Sequence, residues 1–204
     1  MTSWIENRAG GRARGPRGIA RAWAEALVRP GRLFANGVSP GDQAPALTFA
    51  VAVAAAFALG WMVAAPSVVP GIVASVPVSA LVVFLVVIAL AAPVGLHLTA
   101  AVATVSVIVA SVEIDDGLGL RDRGGVSETV QVVAYASSPM ALAGPPIPAL
   151  RIACGAYAAA LLLIGFRVVH GTSWPRTFVA GAPPALLGYG VGYRVIASVR
   201  TLFA

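Results

Sequence analysis

Apolar residues dominate this chain without the regular interruptions that a solvated face would impose. Residues 43–112 hold no Asp, Glu, Lys or Arg, a run of 70 positions without a formal charge. A water-soluble domain cannot be built this way, because each of its helices and strands needs a side that meets water. A chain surrounded by lipid must be built this way, since a charge at the bilayer centre costs about 2.5–3.5 kcal/mol. One helix crosses the hydrocarbon in about 20 residues. The uncharged run therefore has room for two crossings, or three with very tight turns.

The turn Ser39-Pro40-Gly41-Asp42 precedes a first crossing expected over residues 44–65. Pro66, Pro70 and Gly71 make an uncharged turn. The second crossing starts near Ile72 or Val78 and continues past Pro93 and Gly95, which kink it rather than end it, because proline is tolerated in membrane helices. Its end falls near Ala103 or Val112. Residues 113–127 form a polar connection, and Ser127 is placed to cap a third crossing over 128–142, with Glu128 in its first turn. Gly144-Pro145-Pro146-Ile147-Pro148 is a stiff turn into a fourth crossing over 149–169. A short polar loop leads to a fifth over 177–197, where Arg194 and Arg200 can snorkel to the headgroups. Dividing the second crossing at Pro93 would give six. That would set Ala92-Pro93-Val94-Gly95 at the surface with no polar side chain to meet water.

The N-terminal part reads differently. Residues 1–15 are rich in Gly and Arg, lack apolar periodicity and are expected to be disordered. From Pro16 onward, Ile19, Trp23 and Leu27 fall four apart on one face, and Arg17, Arg21 and Glu25 fall four apart on another. This is the pattern of a short amphipathic helix, stopped before Pro30. It suits a helix lying flat in the interface and equally one packed on the cytoplasmic ends of the bundle. The expected organisation is a basic N-terminal segment, 1–43, and a membrane domain, 44–204.

Composition sharpens this picture. Apolar residues make up 58% and charged residues 11% of the chain, against about 25% charged in soluble proteins. All fourteen basic residues are Arg, within an Ala-, Gly-, Val- and Pro-rich composition that suggests a GC-rich, prokaryotic source. Arg8, Arg12, Arg14, Arg17, Arg21, Arg29 and Arg32 crowd the first 32 residues. Beside several membrane spans, such a cluster reads as a cytoplasmic segment at anionic lipid rather than as a nucleic-acid site. Five crossings with the N-terminus inside leave only Arg151, Arg194 and Arg200 outside, in keeping with the excess of basic residues on the cytoplasmic side. Arg12, Arg14, Arg17, Arg21, Trp23, Arg29 and Arg32 are the candidate membrane-surface residues. The lone Cys154 excludes an intramolecular disulfide and a multi-cysteine metal cage. The first apolar span comes too late for a secretory signal.

Candidate chemistry is sparse. All eight carboxylates lie outside the apolar spans, with Glu128 at the edge of one, which disfavours ion-coupled transport. His97 and His170 sit in no ligand spacing, and each is expected to bond a backbone carbonyl or a headgroup. No Ser lies in a nucleophile elbow; Ser137 and Ser138 precede Pro139 and are suited to carbonyls that the proline frees. The Asp- and Glu-bearing loop at 113–122 lacks the alternation of a calcium loop. No catalytic residue, metal or cofactor is expected. Gly181, Ala185, Gly188 and Gly192 fall at i, i+4, i+7 and i+11, one small-residue stripe for helix packing within the bundle or with a second copy. His97, Tyr135, Ser137 and Ser138 are the residues that would line a polar cavity if the chain conducted a solute.

Several stretches together resemble the Yip-one domain family, the Ypt/Rab-interacting membrane proteins and their prokaryotic relatives. Val28-Arg29-Pro30-Gly31-Arg32-Leu33-Phe34 is similar to that family's element before the first span, through Pro30 and Phe34. Tyr135 to Pro139 is similar to its Tyr-x-x-x-Pro segment, followed by the Ile147-Pro148 turn. Gly165-Phe166-Arg167-Val168-Val169-His170-Gly171-Thr172-Ser173 is similar to its junction after the fourth span. The likeness covers roughly residues 28–195. It implies five transmembrane helices and a cytoplasmic N-terminus. Eukaryotic relatives associate with prenylated small GTPases, but the family's Asp-Leu-x-Gly-Pro element is replaced here by Gly41-Asp42-Gln43-Ala44-Pro45, so that partnership is not carried over.

The expected fold is an all-α integral membrane bundle of five transmembrane helices with a short amphipathic N-terminal helix. The expected function is non-enzymatic: organising membrane, or binding lipid or a partner, at the cell membrane. The alternative is a channel or permease for a small uncharged or anionic solute, suggested by the Pro-rich third and fifth spans. Expected partners are the bilayer, anionic headgroups, and a second copy or another membrane protein.

Overall fold

The computed structural model describes residues 15–73, 75–114 and 118–204. Arg8, Arg12, Arg14, Asp115 and Asp116 lie outside the described residues, as does the stretch expected to be disordered, apart from Gly15.

The protein is all-α apart from one small hairpin. In chain order the helices are α1 (Gly15–Val28), α2 (Pro30–Gly37), α3 (Ala44–Ala64), α4 (Val76–Val86), α5 (Ala92–Ala110), α6 (Val126–Ala136), α7 (Pro148–His170), α8 (Trp174–Ala185) and α9 (Val195–Phe203). Strands β1 (Val112–Ile114) and β2 (Leu118–Leu120) pair antiparallel, with Val112 opposite Leu120. Among the described residues, three helices are long and apolar enough to cross a membrane: Ala44–Ala64, the continuous Val76–Ala110, and Pro148–His170.

The second apolar stretch is one helix of 35 residues, about 50 Å long at 1.5 Å per residue. It continues to Ala110, so the segment after Ala103 extends the helix. Pro93 does not break it, because the turn before the proline widens. Residues Val87–Ala91 are wound as a π-helix, in which the Ala92 N–H donates to Val87 O, five residues back. Wider winding accommodates a ring that lacks an N–H donor and crowds the preceding turn.

The fifth apolar stretch departs further from expectation. α8 carries Pro183 and Pro184, and Leu186–Gly192 follow as a second π-helical segment. Arg194 then adopts φ 62°, the one positive φ of a described non-glycine residue. The chain turns there, and α9 packs against α7. The fifth span expected over 177–197, with its interruption expected at Pro183 and Pro184, is thus broken at Arg194 instead. The third span is also divided: α6 ends at Ala136, and Ser138–Leu142 tighten into a 3₁₀ turn that carries Pro139. Its cap differs from expectation as well. Gly125 occupies the N-cap position with no side-chain cap, and the Ser127 hydroxyl instead accepts from Gln131 Nε2 at 3.3 Å.

α6 is the axis of the bundle. Every residue of α6 from Thr129 to Ala136 is buried, wrapped by α1, α3, α5 and α7. Two glycines allow an unusually close approach. A Cβ on Gly144 would lie 2.6 Å from Phe57 O and 2.9 Å from the Gly60 Cα, so α3 meets the turn before α7 at bare backbone. A Cβ on Gly165 would lie 2.5 Å from a Val132 methyl and 3.0 Å from the Phe34 ring, so α6, α7 and α2 meet at one glycine.

Candidate functional site

The residues singled out by family resemblance come together around α6. Phe34 is buried on α2 and lies against Gly165 of α7. Tyr135 is fully buried and meets Phe49 edge-on, ring centroids 5.2 Å apart. Its hydroxyl has no hydrogen-bond partner among the described residues. Pro30 and Pro148 each stand in the first turn of a helix, where a missing N–H costs nothing. Pro139 opens the 3₁₀ turn. Gly171 ends α7 with φ 61°, a left-handed cap that glycine adopts without a Cβ penalty. His170 is buried, 3.4 Å by Nε2 from Thr129 Oγ1 and 5.5 Å from the Phe166 ring. The set forms joints between helices and lines no common cavity.

The loop before α3 is locked to the same axis. Gln131 accepts from the Ser39 N–H at 3.0 Å and donates to Ser39 O at 2.7 Å. Both polar ends of a buried amide are thereby satisfied, as a low-dielectric setting requires.

α1 uses its apolar face on protein. Ala22 and Ala26 are buried, and the Trp23 indole N–H donates to Ser138 O at 2.8 Å. The Tyr157 hydroxyl donates to Leu27 O. Trp23 therefore faces the bundle, and α1 flanks its side rather than resting on one end. Ser138 follows the whole of α6, about 16 Å of helix from its start. Arg17, Arg29 and Arg32 remain exposed, Arg21 is half-buried, and Arg32 pairs with Glu25 at 3.4 Å.

The four residues proposed for a polar path do not converge. His97 is exposed on α5, its Nδ1 2.8 Å from Pro93 O. Ser137 and Ser138 donate to Ala134 O and Tyr135 O, one turn back. Only Ser137 borders a cavity, and that cavity is apolar: about 610 Å³ between α3, α6 and the two π-helical segments, walled mainly by Phe57, Trp61, Val87, Leu96, Leu187 and Tyr193. The Tyr189 hydroxyl, also at its wall, donates to Val133 O at 3.4 Å.

The small-residue stripe is likewise redistributed. A Cβ on Gly181 would meet Leu163 of α7 at 2.5 Å, one on Gly188 would meet Thr99 of α5 at 2.9 Å, and Gly192 is exposed with only Leu187 O at 3.6 Å. Ala185 is half-buried. Winding with i→i+5 bonds re-phases the face, so the stripe serves different neighbours.

Sequence reasoning missed an aromatic and arginine cluster at the end of the bundle away from the hairpin. Arg151 is buried, with Nε 3.0 Å from Ala143 O and Nη2 2.7 Å from Gly144 O. Its guanidinium carbon lies 4.9 Å from the centre of the Trp61 ring and 5.3 Å from that of Phe57. Arg194 lies 4.9 Å from the same Trp61 ring. A signal was present: no acidic residue follows Glu128, so both arginines sit in a stretch without a carboxylate. Among the described residues, no His, Cys, Asp and Glu cluster is arranged to hold a metal.

No curated protein and no solved structure matches the chain. A family model does, that of the Yip1 domain, over residues 24–194. The match runs from the middle of α1 to Arg194 and takes in the joints around α6. With three helices fit to cross a membrane and a match over most of its length, the chain is a membrane protein of the Yip1 domain family.

Proposed function

We propose that this is a non-enzymatic, five-crossing protein of the cell membrane, with its N-terminus cytoplasmic, that organises lipid through an arginine-rich flank. The observation that carries this reading is the division of α1 and α2 into two faces. The apolar face is consumed by the bundle, which leaves Arg17, Arg29 and Arg32 exposed beside apolar helices. Glu25 is their only ion-pair partner among the described residues. Arginines on such a flank reach phosphates by extending along their stems, and each one near an anionic surface contributes about 1 kcal/mol.

Five crossings are compatible with the element lengths. α6 with its 3₁₀ turn spans about 26 Å, and α8 with its π-helical segment about 28 Å, close to the thickness of the hydrocarbon. The domain division is kept at residues 43 and 44, with α1 and α2 as an arm docked on the five-helix domain. The permease alternative draws on the interrupted fifth span. The cavity beside that span is walled by apolar side chains, which suits a hydrocarbon chain better than a polar solute.

The test uses the full-length protein in liposomes. Replacing Arg17, Arg21, Arg29 and Arg32 by Gln should abolish the enrichment of phosphatidylglycerol over phosphatidylcholine around the N-terminal arm, read by photo-crosslinking from that arm. Raised salt should weaken the enrichment in the unaltered protein. Equal enrichment in both proteins would refute the reading.

A further inference from the structure

We propose that Arg151, Arg194 and the cavity behind Trp61 form a site for one anionic phospholipid, its phosphate held by the two guanidiniums and one acyl chain in the cavity. The site lies at the end of the bundle opposite the hairpin and uses none of the arginines of the N-terminal arm. The proposal rests on the membrane reading above but not on the arginines of that arm.

Charge is the first argument. Two guanidiniums approach one indole, each 4.9 Å from its centre. Neither has a carboxylate partner among the described residues, whose ion pairs are Arg32 with Glu25 and Arg121 with Glu113. Carbonyl oxygens of Ala143 and Gly144 and the faces of Phe57 and Trp61 hold Arg151 in place. They orient a buried cation without neutralising it. Two of the five guanidinium N–H groups of Arg151 are used in those bonds, which leaves donors for an anion. Arg151 is buried and Arg194 is exposed beside the same ring, and a counter-charge at that place would offset their repulsion.

Backbone geometry is the second argument. Arg194 is the one described non-glycine residue held at positive φ. That conformation is disfavoured for a residue with a Cβ, and such strain collects where a side chain must be aimed. Here it places an exposed arginine over Trp61, beside the buried one.

The cavity is the third argument. Trp61 and Phe57 carry the arginines and also wall the cavity, so the charged and apolar parts are continuous. At about 610 Å³ it is of the size that ligand pockets have. It opens where both π-helical segments widen their helices, and such bulges recur at functional sites. The hydroxyls of Ser137 and Tyr189 at its wall are already committed to backbone carbonyls. Thr99 and Tyr193 add two further hydroxyls, and the rest of the wall is apolar and suits a hydrocarbon chain, with phosphate chemistry at the arginine end.

The experiment uses full-length protein in a neutral detergent, titrated with phosphatidylglycerol or phosphatidylcholine and read by native mass spectrometry. One phosphatidylglycerol should be retained per chain with at least about tenfold preference. Arg194→Asn removes the charge and tolerates the left-handed backbone. It should lose that preference while melting at the same temperature as the parent in detergent alone. Arg194→Lys should restore part of it. Gly192→Phe fills a wall position where a Cβ meets only ordinary contact; it should weaken the same lipid about tenfold. Glycerol phosphate without chains should compete poorly. The variant lacking the four N-terminal arginines should keep the retained lipid, which separates this site from the arm. Undiminished phosphatidylglycerol in Arg194→Asn would overturn the proposal. So would full competition by glycerol phosphate, because the cavity would then contribute nothing.

Discussion

α4 and α6 are both 11 residues long and both rich in Val, yet one is bare and the other enclosed. On α4 only Ser79 is buried, and Val76, Val78, Leu81, Leu85 and Val86 are exposed. On α6 every residue from Thr129 to Ala136 is buried. The polar content runs against a soluble protein's rule. The exposed helix is almost wholly apolar, while the enclosed one carries Thr129, Gln131 and Tyr135. In lipid the logic inverts: an exposed polar group has no water to meet, whereas an enclosed one can be given partners. Gln131 has Ser39, and Thr129 has Gly125 O and His170. On these two helices the polar side chains thus lie where protein encloses them, and the bare surface is apolar.

The comparison predicts unequal costs for similar changes, measured as unfolding free energies in detergent. Tyr135→Ala empties the centre of the bundle and should cost about 3–5 kcal/mol. Leu85→Ala, on the bare helix, should stay within about 0.5 kcal/mol; comparable losses at the two sites would abolish the distinction. Gly165→Ala drives a Cβ into Val132 and Phe34 and should cost about 1–3 kcal/mol, with the fold retained. Gln131→Leu keeps the volume but strands the Ser39 N–H and C=O, for about 1–3 kcal/mol. A neutral outcome there would mean that the loop finds other partners. Among the changes on α6, the smallest cost is expected for Tyr135→Phe. Its hydroxyl is buried without a partner, so removal should be neutral or stabilising by about 1 kcal/mol. If stability rises while lipid organisation fails, the hydroxyl serves function rather than folding.

Much of this was legible along the chain. The uncharged run 43–112 announced a membrane medium, and α3 begins and ends within a residue of the expected span. The junction at Gly171 was marked only by the family resemblance and by the polar loop after the expected fourth span. The breaks were harder to read. Pro93 and Pro183-Pro184 announce a disturbance, but whether a helix kinks, widens or stops depends on what packs against it. The widened turns here face a cavity that only the folded bundle defines. The Arg151 and Arg194 cluster was hinted at by the lack of carboxylates after Glu128, but its meeting over Trp61 was not legible: positions 61, 151 and 194 lie far apart in the chain, and no local period connects them.

By itself, then, the order of residues determined the medium, the approximate spans and the family likeness, because each is set by transfer free energy or by short-range backbone preference. Tertiary structure alone decided which span became the enclosed axis and which stayed bare, where α8 and its continuation part from a straight helix, and which arginines meet over one indole. Those outcomes depend on contacts between segments far apart in the chain. Such contacts form only when whole helices pack, and lipid, as apolar as the side chains themselves, gives no simple hydrophobic rule for which faces will meet.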